Sequence, residues 1–323
     1  MSRPKLVVTR RWPKEVEEQL CDSYDTELNE SDTPMSAAQL RDALGRADAL
    51  LPTVSDRIDG EVLSADPLNA KLIASYGVGF NHIDIPSARE RGLTVTNTPG
   101  VLTDCTADLA LTLMLMAARR AGEGEQHLRA GAWTGWRPTH MMGTKVTGKT
   151  CGIIGMGRIG KAVARRVHHG FAMKVLCYNR SPVDGDFLQE VGAEQCSSMD
   201  EVFARSDFLS LHCPATPETR HLVNAERLAL MPSNAILINT ARGDVVDEQA
   251  LAGALKDRRI AAAGLDVFEA EPLVTPDLLE LDNAVLLPHL GSATTETRVA
   301  MGERVLRNVR QFFSGETPTD RVA

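Results

Sequence analysis

Residues 150–160 read TCGIIGMGRIG and run on into KAVARRV. The first five residues make an apolar run of strand length, Gly155, Gly157 and Gly160 have the spacing GxGxxG, and the residues after them repeat with helical period. Each glycine has its own physical use. Without side chains, Gly155 can make the tight turn out of the strand, Gly157 lets the backbone approach a pyrophosphate, and Gly160 lets the helix pack on the strand. The helix start, with Arg158 and Ile159 in its first turn, offers free N–H groups and a positive dipole end to an anion. The spacing alone recurs by chance. With a strand before it and a helix after it, it reads as a dinucleotide-binding turn; a βα turn without nucleotide and the adenosyl site of a methyltransferase are the competing readings.

Downstream of this turn, KVLCY, DFLSLH, AILIN, AAAGL and AVLLP alternate with helix-length segments, which predicts a doubly wound sheet of about six strands. Upstream, KLVVT, ADALL, KLIAS and LTVTN form a second alternating series that breaks at Thr98-Pro99-Gly100. Between the two series lie an apolar helix over 103–121 and an irregular arm, GAWTGWRPTHMMG. A closing amphipathic helix over 294–313 follows the second sheet and is expected to return to the first. The fold class is therefore α/β, with two doubly wound parallel-sheet domains. One is a Rossmann cofactor domain over 99–292; the other is a smaller, discontinuous, flavodoxin-like substrate domain formed by 1–98 and 293–323.

The chain has 323 residues, 43% hydrophobic and 24% charged, with a net charge of −8. That balance argues against a nucleic-acid partner, whose phosphates demand clustered Lys and Arg. No apolar stretch of membrane-spanning length and no leader are read in it, so a soluble cytoplasmic protein without a membrane partner is expected. Cys21, Cys105, Cys151, Cys177, Cys196 and Cys213 are scattered singly, which predicts reduced thiols and no metal site.

The strand KVLCY ends in Asn179, Arg180 and Ser181, where an NAD enzyme places a carboxylate on the ribose 2′-hydroxyl. A guanidinium and a hydroxyl suit a 2′-phosphate instead. NADP(H) is thus the preferred cofactor, with NAD(H) second. Three further polar residues follow predicted strands: Arg242, Glu271 and His289. Strand carboxyl ends line the ligand crevice of such folds, so the three can meet there. Reduction of a 2-oxo acid needs that set: Arg242 to hold the carboxylate and polarise the carbonyl, His289 to give the carbonyl oxygen its proton, and Glu271 to favour the imidazolium.

With those residues in place, the chain resembles the D-isomer-specific 2-hydroxyacid dehydrogenases over almost its whole length. The matching stretches are Tyr76-Gly77-Val78-Gly79 with Ile83-Asp84, Asn97-Thr98-Pro99-Gly100, the glycine fingerprint, and the Arg242, Glu271 and His289 segments. Through VLTDCTADL, YNRS and TGWRPTHMMG it is most similar to glyoxylate and hydroxypyruvate reductases. The resemblance implies catalysis by Arg242, Glu271 and His289, and a substrate carboxylate gripped by Arg242 and by the N–H groups of Val78 and Gly79. It implies pyrophosphate contacts from Arg158 and Ile159, and 2′-phosphate contacts from Asn179, Arg180 and Ser181. Cys213 and Pro214 would lie by the adenine, and Thr106, Ala241, Asp266 and Gly291 by the nicotinamide. It also implies a homodimer formed through the cofactor domain, with Trp136 either reaching to the partner or buried in its own subunit.

Other readings stay open. A phosphoglycerate-type or formate dehydrogenase, or one for bulkier 2-oxo acids, shares this architecture, as do dinucleotide-sensing corepressors that bind without turnover. The family's formate enzymes resemble this chain without the Glu271-type partner, so the carboxylate favours carbonyl chemistry. Leu51 to Val54 and Trp136 are the candidates for setting the size of the substrate pocket.

Overall fold

The computed structural model describes residues 3–323. The chain divides into two compact units, one of residues up to Leu102 together with Ser292–Ala323, the other Thr103–Gly291.

In the first unit the strands are β1 (Lys5–Val8), β2 (Asp25–Leu28), β3 (Ala49–Leu51), β4 (Leu72–Ala74) and β5 (Thr94–Thr96). They form one parallel sheet in the order β2-β1-β3-β4-β5, the flavodoxin-like winding. Leu6, Val7 and Val8 are fully buried because helices cover both faces of the sheet; each such side chain contributes about 1.5–3 kcal/mol. β2, with the sequence DTEL, pairs on one side only and alternates exposed with half-buried residues. The sequence pattern did not predict it, because a polar edge strand lacks the apolar run. The last helix, Thr295–Phe313, packs on this unit. Gly302 allows the close approach, since a Cβ there would lie 2.6 Å from Val16 Cγ1. Buried Asn308 donates to the Asn97 carbonyl at 3.3 Å, and the Tyr76 hydroxyl donates to the Arg298 carbonyl.

The second unit holds β6 (Thr150–Ile154), β7 (Lys174–Tyr178), β8 (Ala193–Gln195), β9 (Phe208–Leu211), β10 (Ile236–Asn239), β11 (Ala262–Leu265) and β12 (Ala284–Leu286). All pairings are parallel, in the order β12-β11-β10-β9-β6-β7-β8. The order reverses at β6, which puts the ligand crevice of a Rossmann sheet at the carboxyl end of that strand. The sheet has seven strands rather than about six. The additional one, β8, is a polar edge of three residues. The apolar helix is Thr103–Arg119; Arg120 turns left-handed at φ +52°, and a second helix, Ala121–Arg129, follows with no buried residue. Leu113 of the first helix sits over Gly264 of β11, where a Cβ would come within 2.9 Å of the Leu113 Cβ. Among the described residues no helix is long and apolar enough to cross a membrane.

Candidate active site

The glycine turn has the shape its sequence predicts. Gly155 has φ +95°, and a Cβ there would lie 2.7 Å from the His212 carbonyl and the Cys213 N. A Cβ on Gly160 would overlap the Gly155 carbonyl, whereas Gly157 faces open space. Helix Arg158–Phe171 starts at Gly157 with no side-chain cap, so its first N–H groups have no partner in the helix. This is a cradle for an anion, and it fits a dinucleotide pyrophosphate. Cys213 and Pro214 follow β9 beside it. The Cys213 thiol is pushed up to about 11 by burial, so it is not a reactive thiolate.

At the end of β7, Asn179 turns inward: its Oδ1 accepts from Met156 N at 3.1 Å, and its Nδ2 donates to the Ser181 carbonyl and hydroxyl at 3.0 and 3.2 Å. Arg180 and Ser181 are exposed. The Arg180 guanidinium lies close enough to Glu218 to lower that carboxyl through its charge, and the Ser181 hydroxyl retains a proton to donate.

β10, β11 and β12 end level, with Asn239 opposite Leu265 and Leu265 opposite Leu286. From these ends come Arg242, Glu271 and His289. Glu271 Oε2 lies 2.7 Å from His289 Nδ1, and Glu271 Oε1 accepts from Phe268 N at 3.0 Å. The two side chains are 30% (His289) and 35% (Glu271) exposed. Burial pushes the Glu271 carboxyl up, but the bond and charge of His289, the Phe268 N–H and the Arg242 charge outweigh it, leaving the group below its ordinary value. With Glu271 on Nδ1, Nε2 is left to face a ligand. His289 has φ +54°, a left-handed backbone that non-glycine residues seldom adopt.

Arg242 donates to the Ala241 carbonyl at 2.7 Å. Burial lowers its pKa, opposed by the charges of Glu271 and Asp244; the guanidinium stays a cation. Its turn rests on the Glu271 loop, because a Cβ on the next residue, Gly243, would overlap the Phe268 carbonyl and Glu269 N.

Thr106, Asp266 and Gly291 are brought together. Thr106 Oγ1 donates to the Gly291 carbonyl at 2.9 Å, and Asp266 accepts from Leu290 N at 2.6 Å and Gly291 N at 2.8 Å. Asp266 is 1% exposed, and burial raises its carboxyl against those backbone bonds. Its own carbonyl accepts from His289 N at 2.9 Å, so Asp266 fixes the loop that carries the imidazole.

In the first unit, Val78 and Gly79 lie in the turn after β4. Their N–H groups meet no acceptor among the described residues. Thr98 N donates to the Gly77 carbonyl at 3.0 Å and Asn97 Nδ2 to the Val78 carbonyl at 2.7 Å, which turns the two free amides outward.

A family model described as D-isomer specific 2-hydroxyacid dehydrogenase, NAD binding domain, matches residues 111–291. The chain belongs to the D-isomer specific 2-hydroxyacid dehydrogenases. It is 45% identical to a glyoxylate reductase from Thermococcus litoralis, over 99% of this chain and 97% of that one. It is 44% identical to a glyoxylate reductase from Korarchaeum cryptofilum, over 99% and 96%. It superposes with a TM-score of 0.88, at 34% identity, on an NADPH-dependent glyoxylate/hydroxypyruvate reductase from Sinorhizobium meliloti solved with NADP and malonate, covering 100% of this chain and 97% of that one. It is thus an α/β D-2-hydroxyacid dehydrogenase that uses a nicotinamide dinucleotide.

Sequence reasoning for this dehydrogenase missed the residues that hold the others. Asn239 Oδ1 accepts from Ala241 N at 3.0 Å and its Nδ2 donates to the Arg242 carbonyl at 2.9 Å, shaping the turn that presents the guanidinium. Asn97 does the same for Val78. Their signal was an Asn ending an apolar strand, where β-strands seldom place it. One grouping has metal-type spacing among the described residues, Glu194, Cys196 and Glu201. Arg205 is bonded to both carboxylates, so a guanidinium already supplies the positive charge there.

Proposed function

We propose that this dehydrogenase reduces small 2-oxo acids, glyoxylate and hydroxypyruvate foremost, to the corresponding D-2-hydroxy acids (glycolate in the achiral case), with NADPH as the preferred donor. The observation that carries the chemistry is the 2.7 Å contact between Glu271 and His289 Nδ1. It fixes the ring with Nε2 outward, placed to act as a proton donor. Arg242 holds the substrate carboxylate and polarises the carbonyl, and the Val78 and Gly79 amides are donors suited to a carboxylate. The bound nicotinamide supplies hydride to the carbonyl carbon. His289 Nε2 gives its proton to the carbonyl oxygen as charge develops there, and Glu271 holds the ring in place through Nδ1. The Arg158 and Ile159 amides at the helix start would hold the pyrophosphate. Thr106, Ala241, Asp266 and Gly291 would face the nicotinamide, with Asp266 also setting the His289 loop, and Cys213 and Pro214 would bound the adenine.

The strand end supports NADPH: none of Asn179, Arg180 and Ser181 is a carboxylate that would repel a 2′-phosphate, and Arg180 and Ser181 are exposed donors for one, with Glu218 the carboxylate that Arg180 would have to leave. All six cysteines are free, as a reducing cytoplasm would keep them. A homodimer through the second unit is supported by Leu128, Trp133 and Met142, exposed 59%, 53% and 67%, and by Trp136, whose 82% exposure shows that it is not buried in its own chain. Sedimentation should give twice the chain mass.

The deciding assay follows oxidation of NADPH and NADH with glyoxylate, hydroxypyruvate and pyruvate. Turnover with a higher kcat/KM for NADPH is expected, and Arg180→Ala should cut the NADPH value about tenfold or more while sparing NADH. No turnover with any 2-oxo acid would defeat the enzymatic reading; an NADH preference would defeat the cofactor reading alone.

A further inference from the structure

The loop that carries Arg180 and Ser181 is held from outside by one side chain. Gln195, the last residue of β8, is half-buried. Its Nε2 donates to the Ser181 carbonyl at 3.2 Å and to the Asn179 carbonyl at 3.5 Å, and its Oε1 accepts from Val183 N at 2.9 Å. Three backbone groups on both sides of Arg180 therefore hang on one amide. The other end of the loop is tied by Asn179 to Met156 in the glycine turn. Between these two anchors Arg180 and Ser181 are exposed, and the backbone sets where their side chains start, with Asn179 also holding the Ser181 hydroxyl at 3.2 Å.

Gln195 is not needed for the strand it belongs to. β8 pairs with β7 through backbone, with Cys177 opposite Gln195 and Cys196 N donating to the Cys177 carbonyl at 2.8 Å. The side chain's polar atoms are spent on the loop. We propose that Gln195 is a positioning residue for cofactor choice: it holds the 179–183 loop in the shape that aims Arg180 and Ser181 at a 2′-phosphate. The inference rests on the NADPH reading given above. An amide suits the task because it donates to carbonyls and accepts from an N–H with one planar group, and it adds no negative charge beside the phosphate.

The test measures equilibrium binding of NADPH and NADH to wild type, Gln195→Met, Arg180→Ala and the double variant. Hydrogen exchange of the 179–183 segment is followed in the cofactor-free protein. Methionine keeps the length of the side chain and removes both halves of the amide. Wild type should favour NADPH by about tenfold or more, and Gln195→Met should bring the ratio to within about threefold, chiefly through NADPH. The segment should exchange faster. In the double variant the two losses should not add, because Gln195 acts through Arg180. Gln195→Thr, a strong strand former too short to reach the loop, serves if the methionine variant is poorly folded. An unselective wild type would overturn the NADPH reading and this inference with it. A selective wild type with an equally selective Gln195→Met would overturn this inference alone, as would equal loss of both cofactors or additive losses in the double variant.

Discussion

Replacing Glu271 with Gln keeps the shape of the side chain and removes its charge. The consequence follows from two bonds. Oε1 accepts from Phe268 N at 3.0 Å and Oε2 faces His289 Nδ1 at 2.7 Å. A carboxamide has one oxygen, so keeping the Phe268 bond turns the NH₂ toward Nδ1, which must then be an acceptor on a neutral ring. The opposite flip sets the NH₂ against the Phe268 N–H, donor against donor. Either way the ring loses the negative charge beside it. A charge-assisted hydrogen bond contributes about 1.5–3 kcal/mol, and with side chains 30% and 35% exposed solvent screening puts this one at the low end. At about 1.4 kcal/mol per factor of ten in rate, kcat/KM for 2-oxo acid reduction should fall by about tenfold at neutral pH. The sign follows from the ion pair itself. Glu271 lies below its ordinary value partly because of His289, so its carboxylate is present at neutral pH, and the advantage of wild type over the variant is lost on the acid side as that carboxyl protonates. The assay is kcat/KM for reduction across pH at saturating NADPH, with the NADPH dissociation constant as control. A variant with the wild-type kcat/KM at neutral pH would refute the reasoning.

His289→Asn, chosen because Asn accepts the left-handed φ of +54°, should lower turnover by about 10² to 10⁴ with cofactor binding kept; near-normal turnover would remove His289 from proton transfer. Asp266→Asn should destabilise the protein by about 1–3 kcal/mol, because one of the Leu290 and Gly291 N–H groups then meets a donor in a buried place. Chemical denaturation measures this, and a variant as stable as wild type would show that the loop is held elsewhere. Gly160→Ala should lower the melting temperature and Gly157→Ala should not, since the first Cβ overlaps the Gly155 carbonyl and the second meets open space. The second variant should instead bind cofactor weakly, and unimpaired binding would count against the pyrophosphate placement.

Strands buried on both faces were legible in the sequence, because β1, β6 and β9 to β11 are predominantly apolar runs. β2 and β8 were not: DTEL and AEQ sit at sheet edges, where one face and one hydrogen-bonding side belong to water. The break at Arg120 was also hidden, since a left-handed arginine has no composition signal. At the site, the residues that would do chemistry stood out as polar groups following apolar runs. The bonds that aim them did not, even where the residue itself was marked. Asp266 acts on Leu290 and Gly291, Asn97 on Val78, and Gln195 on a loop after another strand. Such bonds join places distant along the chain, so no local pattern records them.

The contact of Gly243 with the Phe268 carbonyl and Glu269 N has a consequence for how this enzyme can be altered. Two stretches of main chain touch there with no side chain between them, so the turn bearing Arg242 and the loop bearing Glu271 form a single mechanical plate. Neither can be tilted without the other. A library randomised over 242–244 should return only glycine at the middle position. Attempts to widen the substrate range by moving the guanidinium alone should yield misfolded protein, so new specificities have to come from the other loops that border the substrate.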